Sequence, residues 1–110
     1  MLFQRKKKEK TDPELLRRLE KIPLKYVTER DPETLREKKL GENGAVNLMD
    51  GEFVIVCGGK NVFRAALGGV TAAELMNRSG LTVKGYDLDE KREKSVIAYY
   101  SDGTVGAFKK

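Results

Sequence analysis

The chain has 110 residues, enough for one domain with a single core. It carries 22 Lys/Arg against 17 Asp/Glu, a formal net charge of +5, with no histidine, no tryptophan and one cysteine, Cys57. That composition excludes an internal disulfide framework, every Ser-His, Cys-His or His-containing zinc arrangement, and a thiolate metal site built within one chain.

The single cysteine fits a reducing compartment. Met1-Leu2-Phe3 runs straight into charge, without the apolar stretch of a secretory signal. The longest uncharged run, residues 65 to 73, is too short to span a bilayer. We expect a soluble, cytoplasmic protein.

Charge divides the chain. Residues 1–43 hold 13 Lys/Arg and 9 Asp/Glu, whereas residues 44–110 hold 9 and 8. Much of the excess sits in a basic tail, residues 1–10, with Arg5, Lys6, Lys7, Lys8 and Lys10 against Glu9. Those five cations, behind Leu2 and Phe3, are candidate contacts to an anionic membrane surface. The plainer reading is a solubilising tail.

Residues 11–43 read as a helical N-terminal region that folds with the rest. Asp12 suits an N-cap, Pro13 the first helical position and Glu14 the positive helix end. Leu15, Leu16, Leu19 and Ile22 then share one face, and Pro23 stops the helix. The stretch "RDPETLREKKLG" repeats the pattern with Asp31 as cap, Pro32 as start and Gly41 as end, giving a second short helix over residues 32–40. Its rival is an extended arm from Leu24 to Glu29, a turn and another strand.

From Gly44 onward short apolar runs alternate with tight-turn dipeptides. Asp50-Gly51, Gly58-Gly59, Gly68-Gly69 and Asp102-Gly103 separate runs rich in β-formers, a hairpin pattern that needs positive φ. The segments 53–57 and 96–100 are apolar on both faces and should be central strands. Phe63, Ala65 and Leu67 alternate with Arg64, which therefore points outward. Tyr99 and Tyr100 point to opposite faces, one into the core. Gly85 and Gly106 within strands suggest bulges or sharp coiling. "VTAAELMNRSG" interrupts the run: Thr71 with Glu74 fits a capping box, so residues 71–78 read as one or two helical turns, with a strand as the alternative. The fold class is α+β: a mostly antiparallel β-meander or small, partly open barrel over residues 44–108, with N-terminal helical segments.

Three motifs invite chemistry. Gly58-Gly59-Lys60 lacks the spacing of a phosphate loop at both ends, so we read it as a hairpin turn. Asp87, Asp89 and Glu90 lack calcium-loop spacing and read as a solvated turn. Cys57 ends an apolar strand and reads as a buried, inert thiol. Nothing places a nucleophile beside a base. We assign no catalytic residue, metal or cofactor.

The phrase "GAVNLMDGEFVIVCGGKNVFRAAL", with its strand, acidic turn and apolar strand, resembles the opening hairpins of bacterial pleckstrin-homology and GRAM-like domains. The resemblance covers residues 44–108. It implies a non-catalytic module that binds a protein or a lipid headgroup. The pattern departs at the end, where those domains close with a helix and this chain reaches Lys110 just after a strand. Two other readings compete. A small β-barrel could bind single-stranded nucleic acid through Tyr86, Tyr99, Phe63 and Phe108 with Arg64, Lys84, Lys109 and Lys110. A structural homodimer could form through an edge strand at residues 104–108.

Overall fold

The structure is a computed structural model, and it describes residues 13–31, 33–76 and 79–101. Among these, seven strands form one antiparallel sheet in the order β4-β3-β2-β1-β7-β6-β5. The strands are β1 (Pro23–Arg30), β2 (Glu37–Met49), β3 (Glu52–Cys57), β4 (Lys60–Ala66), β5 (Thr71–Glu74), β6 (Gly80–Asp87) and β7 (Arg92–Tyr100). A five-residue helix, α1 (Pro13–Arg17), precedes them, and a 3-10 turn at Leu67–Gly69 links β4 to β5. No helix of the described residues is long and apolar enough to cross a membrane.

Two hairpins follow directly from turn chemistry. Asp50 and Gly51 have φ of 52° and 73°, and Gly58 and Gly59 of 57° and 81°. Positive φ at both central residues gives a two-residue turn whose twist matches the flanking strands. Met49 accordingly pairs with Glu52, and Cys57 with Lys60. Gly58-Gly59-Lys60 is thus a corner between β3 and β4.

Alternation then sorts side chains between two faces. Phe53, Ile55, Phe63, Ala65, Leu81, Val83, Val96, Ala98 and Tyr100 line the inner face, in one core with Leu16, Leu19 and Ile22 of the N-terminal segment. The sheet coils so far that β4 meets β6: Leu88 N–H, just past β6, donates to Arg64 C=O at 2.7 Å. Among the described residues the sheet still does not close, because no ladder joins β4 to β5 or β6.

Several expectations are corrected here. The α+β class does not hold, since beyond α1 and one 3-10 turn the described residues are sheet and connecting turns. The first helix is only Pro13–Arg17 and continues as turns closed by bonds to the third residue back, such as Arg18 N–H to Leu15 C=O at 3.1 Å. Leu16, Leu19 and Ile22 are buried in that tighter path, while Leu15 stays 39% exposed. Asp12, the expected cap, lies outside the described residues.

The helix over residues 32–40 is replaced by a turn and the start of β2. Asp31 does behave as a cap: its Oδ1 accepts N–H bonds from Glu33 at 2.8 Å and Thr34 at 3.2 Å. Leu35, at φ 63°, then leaves helical space. With only Leu35 and Leu40 apolar, a helix here would bury almost nothing, whereas β1 offers a row of backbone partners. The rival reading, an arm, a turn and a strand, matches the observed path: residues 24–29 lie in β1, between β2 and β7. Pro32 lies outside the described residues.

Residues 71–74 are strand, not helix, with Thr71 opposite Lys84 and Glu74 opposite Leu81. Glu74 is not closing a capping box; its Oε2 accepts the Tyr100 hydroxyl at 2.8 Å. Residues 77 and 78 lie outside the described residues. Gly85 carries no bulge, because the β6–β7 register is regular from Gly80 to Asp87. It serves close approach instead: a Cβ there would sit 3.2 Å from Gly69 O and 3.4 Å from Phe63 Cζ. The register shifts elsewhere, where the pairing skips Lys25 of β1, Leu40 of β2 and Val62 of β4. Gly106, Asp102-Gly103 and the expected edge strand at 104–108 lie outside the described residues.

Candidate functional site

The β1–β2 connection is held in one shape by its own hydrogen bonds. Besides the Asp31 carboxylate bonds, Leu35 N–H donates to Asp31 C=O at 2.8 Å and Asp31 N–H to Arg36 C=O at 2.9 Å. Arg36 N–H donates to Thr34 Oγ1 at 3.3 Å. This frame lifts Leu35 into solvent, where it is 64% exposed.

Beside Leu35 runs an open groove of about 470 Å³. Its floor is the outer face of β6 and β7, where Thr82, Lys84 and Ser95 lie, and Arg30 flanks it. A second depression of about 530 Å³ adjoins it around Arg36, Lys38 and Arg92. Arg92 is spent on Glu29 at 2.8 Å and Glu90 at 2.6 Å. Among the described residues, no carboxylate lies within ion-pair distance of Lys84, Arg36 or Lys38, and Arg30 reaches Glu37 only at 4.0 Å. The groove therefore presents an apolar tip and cations outside ion pairs, Lys84 in the groove and Arg36 and Lys38 in the depression, beside carboxylates that line the same surface: Glu29 and Glu93 in the groove, Glu29, Asp31 and Glu37 in the depression.

Next to it on the outer face, Tyr26 and Tyr99 stack with ring centroids 4.6 Å apart, and the Lys39 ammonium sits 5.4 Å from the Tyr26 ring. Both Tyr99 O–H, at 2.9 Å, and Thr28 Oγ1–H, at 2.8 Å, donate to Glu37 Oε1. Burial first, and the bond to Glu37 second, push the Tyr99 phenol up to about 12 from 10.0. Because the folded value is the higher one, the stabilisation is whole below pH 10 and is lost as pH rises towards 12. Tyr99 is thus expected to ionise later than a free tyrosine in a tyrosinate absorbance titration. Glu37→Gln should lower its pKa only in part, since burial remains; an unshifted Tyr99 in the parent chain would contradict this geometry.

The motifs singled out in the sequence fall elsewhere. Asp87, Asp89 and Glu90 do not converge. Asp89 Oδ1 accepts from the Arg64 guanidinium at 3.0 Å, whereas Lys94, then Arg92, hold Glu90 below the usual carboxylate range. Asp87 corrects the solvated-turn reading, being only 1% exposed. Cys57 is buried, and that burial pushes its thiol pKa up. Arg64 points outward as expected but is clamped by Glu52 and Asp89. Of the proposed base-stacking aromatics, Phe63 is fully buried in the core and Tyr86 is exposed on the outer face of β6. Phe108, Lys109, Lys110 and the tail cations Arg5, Lys6, Lys7, Lys8 and Lys10 lie outside the described residues. The groove is not legible in the sequence because Leu35 reads as part of a helix; the signal the stretch holds is a leucine standing alone among polar, turn-forming residues.

Fold and groove define a coiled, unclosed antiparallel sheet with an organised loop beside an open outer face. The chain matches no family model, no curated protein and no solved structure.

Proposed function

We propose that this chain is a non-catalytic interaction module that takes an acidic segment of another protein across the groove between Leu35 and Lys84. The observation that carries the reading is Leu35 itself, held exposed at φ 63° by a hydrogen-bonded loop. Leaving a leucine in water forgoes roughly 1.5–3 kcal/mol of burial. The left-handed conformation costs about 1–2 kcal/mol more. A partner's apolar side chain would recover the first term. Lys84, Arg36 and Lys38, which make no ion pair among the described residues although carboxylates line the same surface, favour an acidic neighbour for it and steer its approach.

A phage-displayed peptide library panned against the full chain tests this. Selected sequences should join an apolar residue to Asp or Glu. Leu35→Asn keeps a residue that tolerates positive φ but removes the apolar tip. It should weaken a selected synthetic peptide by about tenfold, the equivalent of 1.4 kcal/mol, with Tm unchanged or slightly raised. Peptides without acidic residues, or peptides bound equally by L35N and K84E, would overturn the reading. So would co-sedimentation with anionic phospholipid vesicles that L35N abolishes while no peptide binds, since that would assign the surface to lipid.

A further inference from the structure

Among the described residues, β4 ends the sheet on one side. In an antiparallel edge strand every second residue turns its N–H and C=O away from the sheet, where they can pair with another strand. Phe63 and Ala65 pair with Ile55 and Phe53 of β3, so Arg64 turns outward, as does the carbonyl of Val62, the residue that the β3–β4 pairing skips. Three of their polar groups are met from across the coiled sheet. Asp87 Oδ1 accepts Arg64 N–H at 2.9 Å, while its Oδ2 accepts Glu90 N–H at 2.6 Å. Leu88 N–H donates to Arg64 C=O. Lys94 Nζ donates to Val62 C=O at 3.0 Å and pairs with Glu90 at 3.2 Å.

The two side chains involved are unusually placed. Lys94 stands on the inner face of β7, in alternation with Val96 and Ala98, and its side chain is only 3% exposed. Asp87 follows Leu81 and Val83 on the inner face of β6. An ammonium and a carboxylate in such positions cost desolvation that an apolar residue would avoid. The edge supplies the reason for them: each reaches a β4 backbone group that no strand of the described residues satisfies. From the outer side Arg64 clamps the same loop through Asp89.

We propose that Asp87 and Lys94 form a latch on the outer edge of β4 and keep it from pairing with the β4 edge of a second copy of this chain. Two identical antiparallel edges are self-complementary about a two-fold axis, so a bare β4 is its own natural partner. Residues of the β6–β7 hairpin stand in for an eighth ladder without adding a strand.

The test compares the full chain with Asp87→Asn and Lys94→Met. D87N retains the side-chain shape but turns an N–H donor towards Glu90 N–H or Arg64 N–H; K94M keeps most of the buried stem and removes the donor. Amide exchange by NMR reads the latch locally, with Val27 and Ile97 in the central strands as controls. Exchange at Arg64 and Leu88 should rise about tenfold or more in either variant while the controls hold. Light scattering should then show a dimer fraction growing with concentration beyond that of the parent chain. Unchanged exchange at Arg64 in both variants would overturn the latch. Faster exchange with the parent's oligomeric state across the same concentrations would overturn its guarding role. If D87N does not fold, K94M carries both readouts alone.

Discussion

Phe53→Ala is expected to remove about 3–5 kcal/mol of stability, a large part of the total for a domain of this size. Phe53 lies on the inner face of β3, fully buried, with its ring 6.3 Å from that of Phe63 and inclined at 74°. The edge-to-face pair adds to the burial term, so truncation loses both and leaves a cavity. The site cannot collapse easily, because β3 is held between β2 and β4 by ladders on both sides. Thermal unfolding followed by circular dichroism should show Tm falling by roughly 15 °C or more. A fall of only a few degrees would mean that the core around Phe53 is not packed as described.

Gly44→Ala is the second. Adding a Cβ at Gly44 would place it 2.3 Å from Val56 O and 2.7 Å from Cys57 Sγ. The nearer obstacle is backbone of the paired strand, which no rotamer change relieves. β2 must separate from β3 where Gly44 pairs with Cys57, and the expected loss is about 3 kcal/mol, the upper end for overpacking. The double variant with Cys57→Ala sharpens the test. It removes the sulfur but leaves the Val56 carbonyl, so stability should recover little. Full recovery in chemical denaturation would show that the thiol, and not the strand pairing, sets the limit.

The same positions show why parts of the fold were legible in the sequence. A two-residue hairpin is a local object: Asp50-Gly51 and Gly58-Gly59 meet its positive-φ requirement within four residues, whatever the remainder of the chain does. The outward direction of Arg64 and the burial of one tyrosine of Tyr99-Tyr100 came from alternation, which is also local. Residues 37–43 gave no such signal. Their polar run reads as helix or loop because the strand it forms has charges and glycines where a buried strand shows valines, and its stability comes from β1. Thr71–Glu74 has good helix formers, but β6 supplies partners for its backbone, and ladder bonds outweigh a propensity difference of well under 1 kcal/mol per residue. The candidate groove was illegible for a related reason: it joins Arg30 and Leu35 with Thr82, Lys84 and residues 92–95, and only the pairing of β7 with both β1 and β6 brings these segments side by side.

By itself, then, the sequence determined the corners at Asp50-Gly51 and Gly58-Gly59, the inward and outward sides of the strands they connect, and the absence of histidine or paired-thiol chemistry; Gly68-Gly69, which reads as a further hairpin corner, instead lies in a 3-10 turn without positive φ, between strands at opposite edges of the described sheet. Tertiary structure alone decided that β1 lies at the centre between β2 and β7, that polar residues 37–43 are sheet, and that Asp87 and Lys94 close an edge. The physical reason is range. Turn geometry is settled by the dihedral preferences of neighbouring residues, whereas a strand's identity depends on which distant backbone answers its hydrogen bonds. For β1 that backbone is β7, some seventy residues along the chain.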